Sequence, residues 1–342
     1  MPLLLPVLVG ILPALAFLVA LMSLDSYKLV RPGWILTVMM MGAAAAGVSY
    51  VINMALLEWS GVDLRVLVRF VAPVLEESAK GIWILVLLRA HRIGFLVDAA
   101  ICGFAIGTGF AIVENVYYLA VLRDMSLAVW IVRGFGTAIM HGGTTAIFAL
   151  VARSLLDRHE LSGSPGSVPS PWLLIPGFLS AVIIHSVFNH FLLNPILSTI
   201  GVLLALPPVV ALVFRHSEHS LRQWLDVGLD ADTRLLDLIH TGDFVGSKVG
   251  LYLQGLRQHI PGEVVSDMLC YLRLHLELSM RAKGLLLMRE SGFKVEPDAE
   301  IGAGLQELGF LAGRIGPTGR LAMAPFIRMN DRELWQLSLL SR

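Results

Sequence analysis

The chain has 342 residues, a formal net charge of zero and a mean hydropathy of +0.74, and 56% of its residues are hydrophobic. The balanced charge offers nothing to a nucleic-acid partner, and Cys102 and Cys270 are too few and too isolated for a disulfide framework or a thiolate metal site. Residues 1–215 hold 22 of the 52 charged residues and residues 216–342 the other 30, so the composition divides the chain into a membrane domain (1–215) and a soluble, helical accessory domain (216–342).

A membrane-crossing helix needs about 20 mostly apolar residues. Seven segments qualify in chain order: 3–24, 34–57, 71–88, 95–122, 126–151, 172–193 and 195–214. The fold class expected is therefore all-α, a polytopic membrane helix bundle of about seven spans. The first segment lacks a basic leader and a small-residue cleavage site, and reads as a retained span rather than a signal peptide. Residues 161–171 read as a polar loop, and Asn194-Pro195 breaks the sixth span from the seventh. Lys28, Arg31, Arg89, Arg92, Arg153 and Arg158 fall in loops on one side, against Arg65, Arg69 and Arg123 on the other. This bias puts the N-terminus outside and residues 216–342 in the cytoplasm. Those residues show helical periodicity with breaks at Pro261-Gly262 and Gly316-Pro317, and no motif of chemistry.

Four spans carry side chains that lipid does not tolerate. The third has Glu76, Glu77 and Lys80; the fourth has Phe110, Glu114 and Asn115; the fifth has Arg133 and His141; the sixth has His185, Asn189 and His190. Each ionisable group at the bilayer centre costs at least ~2.5–3.5 kcal/mol to insert, so such groups mark a polar cavity, an ion path or catalysis. Helical spacing sorts them. Glu76 and Lys80, four apart, share a face and can pair, while Glu77 points about 100° away. His185 and Asn189 project together, as do Phe110 and Glu114. Arg133 reads as the partner of an acid or as a snorkelling side chain. Gly103-x-x-x-Gly107 reads as a close-packing face. With the topology above, all of the unusual groups fall at mid-depth or in the outer half of the bilayer, as a shared cavity opening outward would require.

Carboxylates, imidazoles and a side-chain amide in one cavity suit hydrolysis. A glutamate takes a proton from water and returns it to a leaving amine, and His185 with Asn189 would donate to an oxyanion. No G-x-S-x-G elbow is present, and no cysteine lies near the cluster. A zinc route is the other one: Glu114, His141 and His185 would be the ligands, with Glu76 or Glu77 as base, but no H-E-x-x-H motif is present and the reading rests on residue types alone. Two other classes use the same residues differently. An ion- or proton-coupled transporter would exploit the buried carboxylates and histidines, but no pair of broken-helix repeats is evident. A non-catalytic scaffold would act through residues 216–342.

Glu76-Glu77-x-x-Lys80, Phe110-x-x-x-Glu114 and His185-x-x-x-Asn189, in that order on successive apolar segments, resemble the PrsW family of bacterial intramembrane proteases. That family is similar to the group containing the CAAX prenyl endopeptidases and the bacteriocin-immunity-type membrane proteases. There the first motif usually carries Arg where this chain has Lys80, and the second ends in His where this chain has Glu114. The resemblance covers roughly residues 70–190. It implies a multi-pass protein of the bacterial inner membrane that cuts a single-span, membrane-anchored substrate, such as an anti-sigma factor, near the outer surface. It further implies Glu76 as the base, Glu77 as its partner, Lys80 and Glu114 in the site, and His185 with Asn189 as oxyanion donors. It leaves open whether the site uses zinc or works as a metal-free glutamate protease.

Overall fold

The computed structural model describes residues 4–121, 125–162, 171–293, 299–327 and 331–340, and these contain helices and no strand. Arg123 and most of the 161–171 loop lie outside them. The described chain forms two compact units, dividing between Ser217 and Glu218.

The first unit contains α1 (Leu4–Leu24), α2 (Pro32–Ser60), α3 (Ala72–Arg89), α4 (Leu96–Val121), α5 (Ile139–Ser162), α6 (Ile175–Asn189) and the start of α7 (Pro195–Thr241). Among the described residues, six helical stretches are long and apolar enough to cross a membrane. The exception is α3, where Glu76, Glu77, Lys80 and Arg89 break the apolar run within 18 residues. Both α5 and α7 continue past the apolar limits read from the sequence. Hydropathy stops at the first charged residues, whereas helix formation does not: α5 runs through Arg153, whose Nη2 meets Asp157 Oδ1 one turn on at 2.6 Å.

Helix α4 sits at the centre, buried along most of its length and packed by α1, α2 and α5. The cause is its small residues. A methyl group on Gly107 would collide with the carbonyl oxygen of His141 on α5, and one on Gly109 with that of Met39 on α2. Without a hydrophobic drive between helices in lipid, such backbone approach supplies the packing. It also sets His141 directly against α4.

Two short π-helical turns lead into the site. Leu67–Val71 precedes α3 and Val132–Ala138 precedes α5. Single π turns inside helices accompany functional sites because the extra residue rephases the side chains that follow.

The second unit packs the end of α7, α8 (Lys248–Leu256), α9 (Gly262–Glu290), α10 (Ala299–Met323) and α11 (Asp331–Leu340). Its core gathers Met268, Leu272 and Leu276 of α9 with Leu308, Leu311 and Ile315 of α10. The breaks read from the sequence are present: Pro261 precedes α9, and Gly316, at φ 64°, kinks α10 before Pro317. A polar cluster lies beside the core. Asp232 Oδ2 accepts from Ser279 Oγ at 2.5 Å and from Lys283 Nζ at 2.6 Å, and Gln336 Nε2 donates to Ser279 Oγ at 3.0 Å.

His275 is buried one turn before Ser279, stacked on Tyr271, and its Nδ1 makes no hydrogen bond. Burial lowers its pKa from 6.5 to about 4; Asp232 opposes the shift and Lys283 adds to it. The unfolded chain therefore binds the proton more readily between these two values, so stability falls as pH drops through that window, by about 3 kcal/mol once both states are protonated. Hydrogen exchange across α9 in the full-length protein is expected to show this slope, and His275→Leu to flatten it. An unchanged slope in the variant would rule out His275 as its source.

Candidate active site

Glu76, Glu77 and Lys80 lie in the first half of α3, which begins at Ala72. Glu77 and Lys80 are fully buried, with Lys80 Nζ donating to Glu77 Oε1 at 2.5 Å. Lys80 therefore pairs with Glu77, three residues back, and not with Glu76 as the four-residue spacing suggests. The physical reason is enclosure: the Glu77 face of α3 turns into the bundle, where an unpaired ammonium could not be solvated. Glu77 Oε1 also accepts from Thr144 Oγ1 at 3.2 Å and from His185 Nδ1–H at 2.8 Å, while its Oε2 has no hydrogen-bond partner. Glu76 points elsewhere. Its side chain is 13% exposed, Oε1 accepts weakly from Asn53 Nδ2 of α2 at 3.4 Å, and Oε2 has no hydrogen-bond partner.

His141 bridges the two halves of the site. Lys80 Nζ donates to its Nδ1 at 3.2 Å, which puts the imidazole proton on Nε2, facing Glu114 Oε2 at 3.2 Å. Phe110 wedges beneath, its ring 5.0 Å from the His141 ring and 4.8 Å from Lys80 Nζ. The His141 and His185 rings meet edge to face at 4.8 Å. Because Glu77 holds the Nδ1 proton of His185, its Nε2 carries a lone pair, and that atom lies 3.8 Å from the free Oε2 of Glu76.

Arg133 secures the outer edge. Its Nη2 meets Glu114 Oε2 at 3.1 Å, its Nε donates to Asn115 Oδ1 at 2.8 Å, and its guanidinium lies 3.8 Å from the centre of the Tyr118 ring. Asn115 in turn donates from Nδ2 to Gly10 O of α1 at 2.7 Å. Of the three acids, Glu77 has Lys80 and Glu114 has Arg133. Glu76 alone has no cation, which makes it the natural place for an incoming one.

Six of the residues expected from the sequence thus meet: Glu76, Glu77, Lys80, Glu114, His141 and His185. Asn189 does not join them. Its Nδ2 donates to Val68 O at 3.0 Å, and its neighbour Ser186 donates to Arg69 O at 2.6 Å. Both carbonyls belong to the π turn before α3, and backbone acceptors in a bilayer must be satisfied within the protein. The expected pairing of His185 with Asn189 is absent for this reason: His185 turns inward to Glu77 and Asn189 ties down backbone. Asn53 and Thr144 were not foreseen. The available signal was weak, a lone amide in the apolar run of α2 and a hydroxyl after Gly142-Gly143.

The metal-ligand group also differs from Glu114, His141 and His185. One ligand atom from each of Glu76, His141 and His185 lies within 4.8 Å of the others. Tetrahedral zinc with N and O ligands at about 2.0–2.2 Å keeps those ligands about 3.4 Å from one another, so these donors would have to close in by up to about 1.4 Å to share an ion. The unengaged Oε2 of Glu76, the free Nε2 of His185 and the carboxylate holding its other nitrogen match how a metal histidine is built. His141, with both nitrogens engaged, joins an ion only by releasing Glu114 or Lys80. The donor set fits a metal, with Glu114 outside it and Glu76 within it.

The family model described as PrsW family intramembrane metalloprotease matches residues 31–213. No curated protein and no solved structure matches the chain. The matched segment covers more than half of the sequence and contains every residue of the cluster except the Gly10 anchor, and the chain belongs to the PrsW family of intramembrane metalloproteases.

Proposed function

We propose that this chain hydrolyses a peptide bond of a single-span membrane protein, of the anti-sigma-factor kind, near the outer surface of the bacterial inner membrane, with residues 216–342 in the cytoplasm. The observation that carries the reading is the meeting of Glu76, His141 and His185, donor atoms within 4.8 Å and both histidines buried among the helices. The lysine and arginine distribution supports the outward orientation.

Glu76, His141 and His185 would hold the ion, and zinc suits two nitrogens and one oxygen, supplying a Lewis acid and a water that loses its proton near neutral pH. Glu77 keeps the Nδ1 proton on His185 and so presents Nε2 to the centre. Lys80 neutralises Glu77 and holds it in place. Glu114, 24% exposed and engaged only through Oε2, would take the attacking water's proton and deliver it to the departing amine. The surrounding apolar helices exclude bulk water, which strengthens each of these interactions.

Purified protein co-reconstituted with a single-span substrate is expected to cleave it, and to contain one zinc per chain by elemental analysis. Chelation is expected to stop cleavage and added zinc to restore it, while His141→Ala is expected to lower the metal content. Ion-coupled flux in the same vesicles without cleavage would establish a transporter instead. Cleavage by protein free of stoichiometric metal would reject the zinc centre.

A further inference from the structure

With Asn189 committed to Val68, no side chain assigned above donates a hydrogen bond to the negative oxygen that forms when water adds to the scissile carbonyl. The geometry points to Arg133 as that donor. This inference rests on reading the cluster as a peptidase centre. Three observations carry it.

The guanidinium is held in place before any substrate arrives. Nη2 is ion-paired with Glu114, Nε donates to Asn115, and Tyr118 lies against its face, while Asn115 is itself anchored to the backbone of α1. A donor fixed in advance costs no reorganisation in the transition state, which is where such donors gain their effect. The group is also at the right place. Its Nη2 lies 3.1 Å from Glu114 Oε2, which in turn lies 3.2 Å from His141 Nε2 of the candidate centre. Finally, it has capacity to spare. At 14% exposure it sits at the rim, and its buried Nη2, though ion-paired with Glu114, makes no hydrogen bond among the described residues. An arginine has five N–H donors and cannot lose its charge, so engaging Glu114 and Asn115 leaves donors for a substrate oxygen.

The step balances without a further reactant. The water oxygen bonds to the carbonyl carbon and the water's proton passes to Glu114. The carbonyl π pair moves onto oxygen, opposite the Arg133 guanidinium. That pair returns as the C–N bond breaks, and the amine leaves with the proton from Glu114. Arg133 donates throughout and transfers nothing.

The test compares Arg133→Gln and Arg133→Lys in the zinc-loaded, reconstituted protein. The inhibitor is a peptide in which a tetrahedral phosphinate replaces the scissile amide. Arg133→Gln is expected to lower kcat by about 10²–10³-fold with KM little changed, and to weaken phosphinate binding by a similar factor. Binding of uncleaved substrate is expected to stay the same, and Arg133→Lys to recover part of the loss while keeping a cation beside Glu114. Three results would overturn the assignment: unchanged kcat, a fall in kcat with phosphinate affinity intact, or no further fall in a Glu114→Gln background. The last would mean that Arg133 acts only by positioning Glu114. Full cleavage by Glu76→Gln in the same assay would instead remove the peptidase reading itself.

Discussion

Glu76→Gln is expected to abolish cleavage while leaving the helices folded. The substitution keeps size and the weak contact with Asn53, and removes only the charge of the one acid with no cation beside it. In the reading above that charge holds the ion together with His141 and His185. Its loss should therefore remove bound zinc and at least about 10³-fold of the rate, the scale at which one indispensable group in a catalytic unit acts. Glu77→Gln should behave differently. It loses charge opposite Lys80 and loosens His185, so it should lower stability as well as rate. Elemental analysis and cleavage on the same preparations check both. Zinc retained in inactive Glu76→Gln would move Glu76 from ligand to base. Undiminished cleavage in both variants would end the assignment of this cluster to hydrolysis.

Lys80→Met is expected to cost about 3–5 kcal/mol of stability, the penalty for stranding one member of a fully buried ion pair. Methionine matches the lysine stem in length and leaves Glu77 ionised with only Thr144 and His185 as donors. The double variant Lys80→Met with Glu77→Gln should recover most of that loss, because it removes both charges together. Reversible unfolding in detergent, followed by helical circular dichroism, measures the cycle. A single variant as stable as the wild type would show that Lys80 does not support the fold. A double variant no more stable than the single one would show that the pair is not the origin of the effect.

Much of this architecture was legible beforehand because its causes are local. Apolar runs of about 20 residues, Pro195 after a break, and Pro261 before α9 are properties of neighbouring residues. So was the convergence of Glu76, Glu77, Glu114, His141 and His185, since charges that costly to insert have to gather where they satisfy one another. The close approach at Gly103 and Gly107 was legible too, from small residues spaced one turn apart. Helix ends were less so, because hydropathy reports lipid contact and says little about where backbone hydrogen bonding stops.

What the sequence by itself determined was the inventory: which ionisable groups lie in the apolar helices, and on which of them. Partner choice belonged to the tertiary structure alone. Helical spacing allows Lys80 to reach Glu76 or Glu77, and the direction in which α3 turns into the bundle selects Glu77. Spacing equally allows Asn189 to accompany His185, and a π turn at the head of α3 draws it to Val68 instead. The approach of α5 to α4 through glycine sets His141 between Lys80 and Glu114, and that same approach leaves Glu76 as the acid free to meet a metal and water. These are differences of a single hydrogen bond, decided by helix rotations that a linear pattern does not encode.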